Sequence, residues 1–160
     1  MKHLNLQINY ESYQMDELSL PDRELIKNAI KATDNAYANY SHFYVGAALR
    51  LANQQIVIGA NQENAAFPSG LCAERTAIFA AQANFPDQPI ETLAIAARTE
   101  NGLLVQPITP CGACRQVMLE IEDRYKQPVR ILLYGTDQIY CIESVKDLLP
   151  FSFVDANMHL

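Results

Sequence analysis

The chain has 160 residues, 49% of them hydrophobic and 19% charged, a globular composition large enough for one domain with a substantial core. Its 12 Lys and Arg against 18 Asp and Glu leave a net charge of -6, which disfavours a nucleic-acid partner, because such binding rests on cations that neutralise phosphates. No apolar run approaches the length of a membrane span, and Met1 to Leu6 lack the apolar stretch of a secretory signal, so the reading is a cytoplasmic protein with no membrane partner.

In chain order, Leu4, Leu6 and Ile8 alternate and predict a short edge strand over residues 4–8. Ser19 followed by Pro21 is a helix start, and Leu25, Ile26, Ala29, Ile30 and Ala36 at helical spacing predict an amphipathic helix over 21–39. Phe43 to Leu51 and Gln55 to Gly59, separated by the turn-like Ala52-Asn53-Gln54, predict a β-hairpin. Pro68-Ser69-Gly70 breaks the pattern before an Ala-rich helix from Cys72 to Ala83. Leu93 to Ala97 predict a buried strand, Thr109-Pro110 opens a helix to Tyr125, and Val129 to Tyr134 form another strand. Only Gly135-Thr136-Asp137-Gln138 separates that strand from Ile139 to Ile142, so the last two must be antiparallel. Strands separated by helices are free to run parallel. With no repeat or linker, this is a single α/β domain over residues 1–160, a mixed sheet covered by helices.

Four cysteines without an export signal point to metal or redox chemistry before structural disulfides. Cys111-Gly112-Ala113-Cys114 begins a predicted helix, where residues three apart share a face and can hold one ion. A thioredoxin-like redox pair is the rival reading of that spacing. Against it stands Cys72 at a second predicted helix start, with Glu74 two residues on. Helix starts favour thiolates, because free N–H groups and the positive end of the dipole stabilise negative charge there. Three thiolates around Zn²⁺ still carry excess negative charge, which Arg75 or Arg115 can offset. Three protein ligands leave a tetrahedral position open to water, the mark of a catalytic zinc; a structural zinc needs a fourth. Cys-x-Glu followed by Pro-Cys-x-x-Cys fits the nucleobase-deaminase arrangement, in which a glutamate that is no zinc ligand moves protons. Cys141 reads as a small buried hydrophobe, His3, His42 and His159 lack ligand spacing, and Arg115 is expected to face solvent or a neighbouring subunit.

Four segments carry a wider resemblance: Ser41 to Ala48, Asn61 to Ala65, Gly70 to Ala77 and Pro110 to Gln116. In these the sequence resembles the small, homotetrameric cytidine deaminases with one zinc on three cysteines. The resemblance implies a three-layer helix/sheet/helix sandwich around a five-stranded mixed sheet, and residues 1–19 as an N-terminal extension beyond the family core. It implies one Zn²⁺ per subunit on Cys72, Cys111 and Cys114, with Glu74 catalytic in the hydrolytic deamination of cytidine and deoxycytidine. Arg75 would hydrogen-bond the zinc thiolates, Asn61 and Glu63 the ribose 3′-hydroxyl, and the Ala73 N–H the base carbonyl, while Phe43 packs on the pyrimidine. Ala65 and Phe67 from one neighbouring subunit, and Phe153 from another, would close over the nucleoside. Phe67 stands where the family often has tyrosine. The alternatives are a deaminase of another aminopyrimidine nucleoside, of the blasticidin type, and a non-catalytic zinc module with Cys141 or a histidine as fourth ligand.

Overall fold

In the computed structural model, which describes residues 1–158, strand alternation sorts the apolar side chains onto two faces of one sheet. The strands are β1 (Glu11–Tyr13), β2 (Tyr44–Leu51), β3 (Ile56–Ala60), β4 (Ile90–Thr99), β5 (Gly102–Leu103), β6 (Arg130–Tyr134) and β7 (Ile139–Ile142). The helices are α1 (Leu20–Ala32), α2 (Ala73–Asn84) and α3 (Gly112–Tyr125). Ala47, Leu49, Leu93, Ile95, Ile131 and Leu133 face α2 and α3, which answer with Ala77, Ile78, Ala81, Cys114, Met118 and Leu119. Their neighbours Ala48, Ala94, Ala96 and Leu132 point the other way, onto Leu25, Ile26 and Ala29 of α1. The outcome is the helix/sheet/helix sandwich that the resemblance implies.

The sheet runs β1-β7-β6-β4-β2-β3, with β5 pairing β4. Among the described residues it therefore has seven strands where five were expected; β1 and the two-residue β5 are the additions. β4 and β6 are parallel and joined across α3, whereas β6 and β7 are antiparallel, as their short connection requires. The edge strand lies at 11–13 and not at 4–8. Pairing sets Glu11 opposite Cys141, and because β7 ends at Ile142, residues 4–8 project past the last residue they could pair with. His159 lies outside the described residues.

Helix α1 starts where expected, with the Ser19 hydroxyl accepting from the Asp22 N–H, but it stops at Ala32 and not at 39. A 3-10 turn over Thr33–Asn35 follows, and the Thr33 hydroxyl donates to the Ile30 carbonyl while accepting from Arg98 of β4. Asp22 is buried in the first turn of α1 and takes hydrogen bonds from Arg50 of β2 at 3.1 Å and Arg130 of β6 at 2.7 Å. That carboxylate ties α1 to strands on both sides of β4. No helix among the described residues is long and apolar enough to cross a membrane.

Two glycines let helices lie flush on the sheet from opposite faces. A Cβ on Gly46 would sit 2.0 Å from the Ala29 carbonyl oxygen of α1. One on Gly59 would sit 2.6 Å from the Ala73 oxygen and 2.4 Å from the Ala77 nitrogen of α2. Gly59 thereby sets the height of the first turn of α2 above β3. Gly59→Ala is expected to lower the unfolding free energy by about 1–3 kcal/mol, the usual cost of overpacking, measured by urea denaturation.

Candidate active site and metal centre

Two helix starts meet on the α2/α3 side of the sheet. Cys72 is the N-cap of α2 and Cys111 the N-cap of α3, both in extended backbone, and Cys114 lies one turn into α3. The Cys72 and Cys111 sulfurs are 3.8 Å apart, those of Cys111 and Cys114 are 3.5 Å apart, and all three lie within 4.8 Å of one another. A tetrahedral zinc with Zn–S bonds near 2.3 Å requires sulfurs about 3.8 Å apart, so the cluster is compatible with one zinc ion. No histidine or carboxylate joins the three sulfurs as a further ligand among the described residues.

Electrostatics divide the three thiols. A hydrogen bond from the Cys114 thiol, with Arg75 behind it, draws the Cys72 thiol down to about 5 against its own burial. Cys114 is pushed the other way by its bond to Cys72, by burial and by the charge of Glu74. Arg75 reaches the Cys72 sulfur through Nη2 at 3.8 Å, and its buried Nε has no partner among the described residues. A half-buried cation beside clustered sulfurs is what an excess of negative charge at a metal centre calls for.

Glu74, in the first turn of α2, is only 5% exposed. Burial lifts its carboxyl above the ordinary carboxylate range; the Cys72 charge adds to this and a hydrogen bond with Cys114 partly offsets it. A carboxyl raised in this way beside a metal set holds a proton more readily than an ordinary carboxylate and is a candidate proton carrier.

Facing these groups, the chain from Asn61 to Leu71 is fastened on two sides: Gln62 bridges Tyr37 and also exchanges backbone hydrogen bonds with Leu71. That staple brings Asn61 and Glu63 beside Cys72. A cavity of ≈ 300 Å³ opens there, lined by Asn61, Gln62, Glu63, Asn64, Phe67, Gly70, Leu71, Cys72 and Arg75. Asn61 is held by the Val45 N–H at 2.8 Å and by the Phe43 carbonyl at 2.9 Å, so its amide orientation is fixed. Glu63 accepts from the Tyr40 N–H at 2.8 Å and from the Ser41 hydroxyl, and that Ser41 bond leads in holding its carboxyl below its usual range. Glu63 is therefore a carboxylate at neutral pH.

The other residues named from sequence are spread differently. Ala73 is fully buried at the start of α2, and Phe43 is half-buried just before β2. Phe67 lines the cavity of its own chain, 76% exposed, edge-to-face with Tyr40. Ala65 is exposed, and Phe153 is 59% exposed and is not among the residues lining that cavity.

Two expectations change, for Cys141 and Arg115, while His42 stays outside the metal set as its spacing implied. Cys141 is buried but far from a purely apolar setting: Arg130 Nε donates to its sulfur at 3.1 Å, and Glu11 and Glu143 lie beside it. It belongs to the α1 side of the sheet, opposite the other three cysteines, and so cannot be their fourth ligand. Arg115 does not simply face solvent; its guanidinium bonds Pro110, Thr109 and Leu148. An arginine directly after a ligand cysteine was the available signal, but spacing cannot reveal a contact to residue 148. His42, exposed and at φ 53°, pairs with Glu100.

The family model for the cytidine and deoxycytidylate deaminase zinc-binding region matches residues 20–127, leaving residues 1–19 outside the match. A cytidine deaminase of Halalkalibacterium halodurans is 40% identical over 139 residues, which span 86% of this chain and 98% of that protein. One from Mycoplasma genitalium is 33% identical, covering 81% of this chain and 92% of its own length. Among solved structures, a cytidine deaminase from Burkholderia pseudomallei superposes with a TM-score of 0.69 at 40% identity, over 81% of this chain and 97% of that one. That of Mycobacterium tuberculosis gives 0.66 at 29% identity, over 85% and 99%. On this geometry the purified chain is expected to carry one zinc, to lose it in Cys111→Ser and to keep it in Cys141→Ser, read by elemental analysis of the gel-filtered proteins.

Proposed function

The chain belongs to the cytidine and deoxycytidylate deaminase family, and we propose that it hydrolyses cytidine and deoxycytidine to uridine and deoxyuridine with release of ammonia. The observation that carries this reading is a three-sulfur metal set with no fourth protein ligand among the described residues, beside a buried glutamate whose carboxyl is raised by burial. Zinc held by Cys72, Cys111 and Cys114 supplies the Lewis acid that brings the ionisation of water near neutrality.

The remaining steps fall to the chain's own groups. Glu74 takes a proton from the attacking water and passes it to ring N3 as oxygen adds at C4. It then carries the second proton to the amino group at C4, which leaves as ammonia. The buried position of Glu74 supports this role, because a carboxyl kept away from water holds a proton at neutral pH more readily. Arg75 offsets the charge of the thiolates.

Asn61 and Glu63 favour a ribose-bearing substrate. Both line the cavity that reaches Cys72, and Glu63 is an anionic acceptor suited to the 3′-hydroxyl. In this reading the Ala73 N–H, at the start of α2, meets the base carbonyl and Phe43 packs on the ring. We read the enzyme as a cytoplasmic homotetramer in pyrimidine salvage, one domain over residues 1–160, with Ala65 and Phe67 from one neighbour and Phe153 from another closing each site. The exposure of Phe67 and Phe153 supports that reading.

Glu74→Gln is expected to retain its zinc while losing about 10²–10⁴-fold in kcat, followed by the absorbance change from cytidine to uridine. Equal turnover in variant and parent would remove the glutamate from the mechanism. Glu63→Gln is expected to raise KM for cytidine more than it lowers kcat. Faster turnover of a blasticidin-type nucleoside than of cytidine would reassign the substrate.

A further inference from the structure

The segment after the last strand is anchored on the same helical turn that presents two of the three metal ligands. Arg115 directly follows Cys114. Its Nε donates to the Pro110 carbonyl at 2.8 Å and its Nη2 to the Thr109 hydroxyl at 3.2 Å, both in the loop that delivers Cys111. Its Nη1 donates to the Leu148 carbonyl at 2.6 Å. The next residue, Gln116, donates through Nε2 to the Phe153 carbonyl at 3.0 Å. Between the two anchors, Phe151 takes φ 54°, a left-handed conformation that bulky residues rarely adopt, and it is fully exposed. No burial of its own side chain holds that bend; the anchors on either side do.

We infer that Arg115 is a positioning residue that couples the metal turn to a C-terminal strap, residues 148–153. One rigid guanidinium, with donors in three directions, fixes the approach of the Thr109-Pro110 loop to Cys111 and the start of the strap at once. Metal binding fixes Cys111 and Cys114, which fixes the direction of Arg115 and Gln116 and so orders the strap. In the reverse direction, the strap steadies the loop that brings Cys111 to the metal. A lysine cannot make the same three contacts, because its ammonium is a point donor on a flexible stem.

The inference rests on the zinc reading of the three cysteines, so zinc content of the parent protein is measured first. A parent that binds no zinc overturns that reading and the coupling with it. With zinc present, its release to a chromogenic chelator and backbone hydrogen exchange are followed in the parent, Arg115→Lys and Asp22→Asn. Asp22→Asn weakens the fold from the opposite face of the sheet and serves as the control for general destabilisation. Arg115→Lys is expected to release zinc about tenfold faster than the parent and to exchange faster over 148–153. Release no faster than in the Asp22→Asn control overturns the inference. If Arg115→Lys does not fold, Thr109→Val, which removes one acceptor, takes its place with the same expected direction. In the parent itself, stripping the zinc is expected to speed exchange over 148–153 while β4 is unchanged. Identical strap exchange with and without zinc overturns the coupling without touching the deaminase reading.

Discussion

Three sulfurs held within 4.8 Å of one another repel as they ionise, and the arrangement of this molecule follows from the need to offset that repulsion. The two helix starts each bring unpaired N–H groups to the same point, and Arg75 adds a full charge against Cys72. For the helix starts to meet, α2 must lie flush on β3 and α3 must cross from β4 to β6 on the same face. Gly59 permits the first and the parallel β4–β6 pair the second. Glu74 is then carried into the interior by its position two residues after Cys72, and its raised carboxyl is a by-product of the same packing.

Much of this was legible in the sequence. The short apolar runs of β2, β4 and β6 and the starts of α1, α2 and α3 are local signals, and the structure keeps them within a few residues. Cys72, Glu74, Cys111 and Cys114 could be named because a catalytic metal needs those residue types at those spacings. The ends of elements were less visible. The true edge strand depends on where β7 stops, which residues 4–8 do not encode. The early end of α1 depends on Thr33 meeting Arg98, a contact across 65 positions. The bonds of Arg115 to Leu148 and of Arg130 to Cys141 were hidden for the same reason: each joins segments far apart in the chain.

Asn61 and Glu63 show the limit in another form. As residue types they are ordinary surface polars, and only their likeness to a family pattern singled them out. In the fold both are tied down by backbone groups of the segment 40–45, so the cavity is lined there by polar groups of fixed orientation. Rigid polar groups of this kind discriminate by the partners they leave unpaired when the wrong ligand enters.

The sheet also parts the cysteines. Cys141 lies with α1, bonded by Arg130, while the other three lie toward α2 and α3. A disulfide needs its two Cα atoms within about 7 Å and its side chains facing each other. The folded chain therefore keeps two thiol populations that cannot exchange partners: an oxidant can cross-link the metal-binding cysteines among themselves, but the fourth thiol cannot trap them in a mispaired bridge. A bridge formed on one side of the sheet therefore leaves the thiol on the other side untouched.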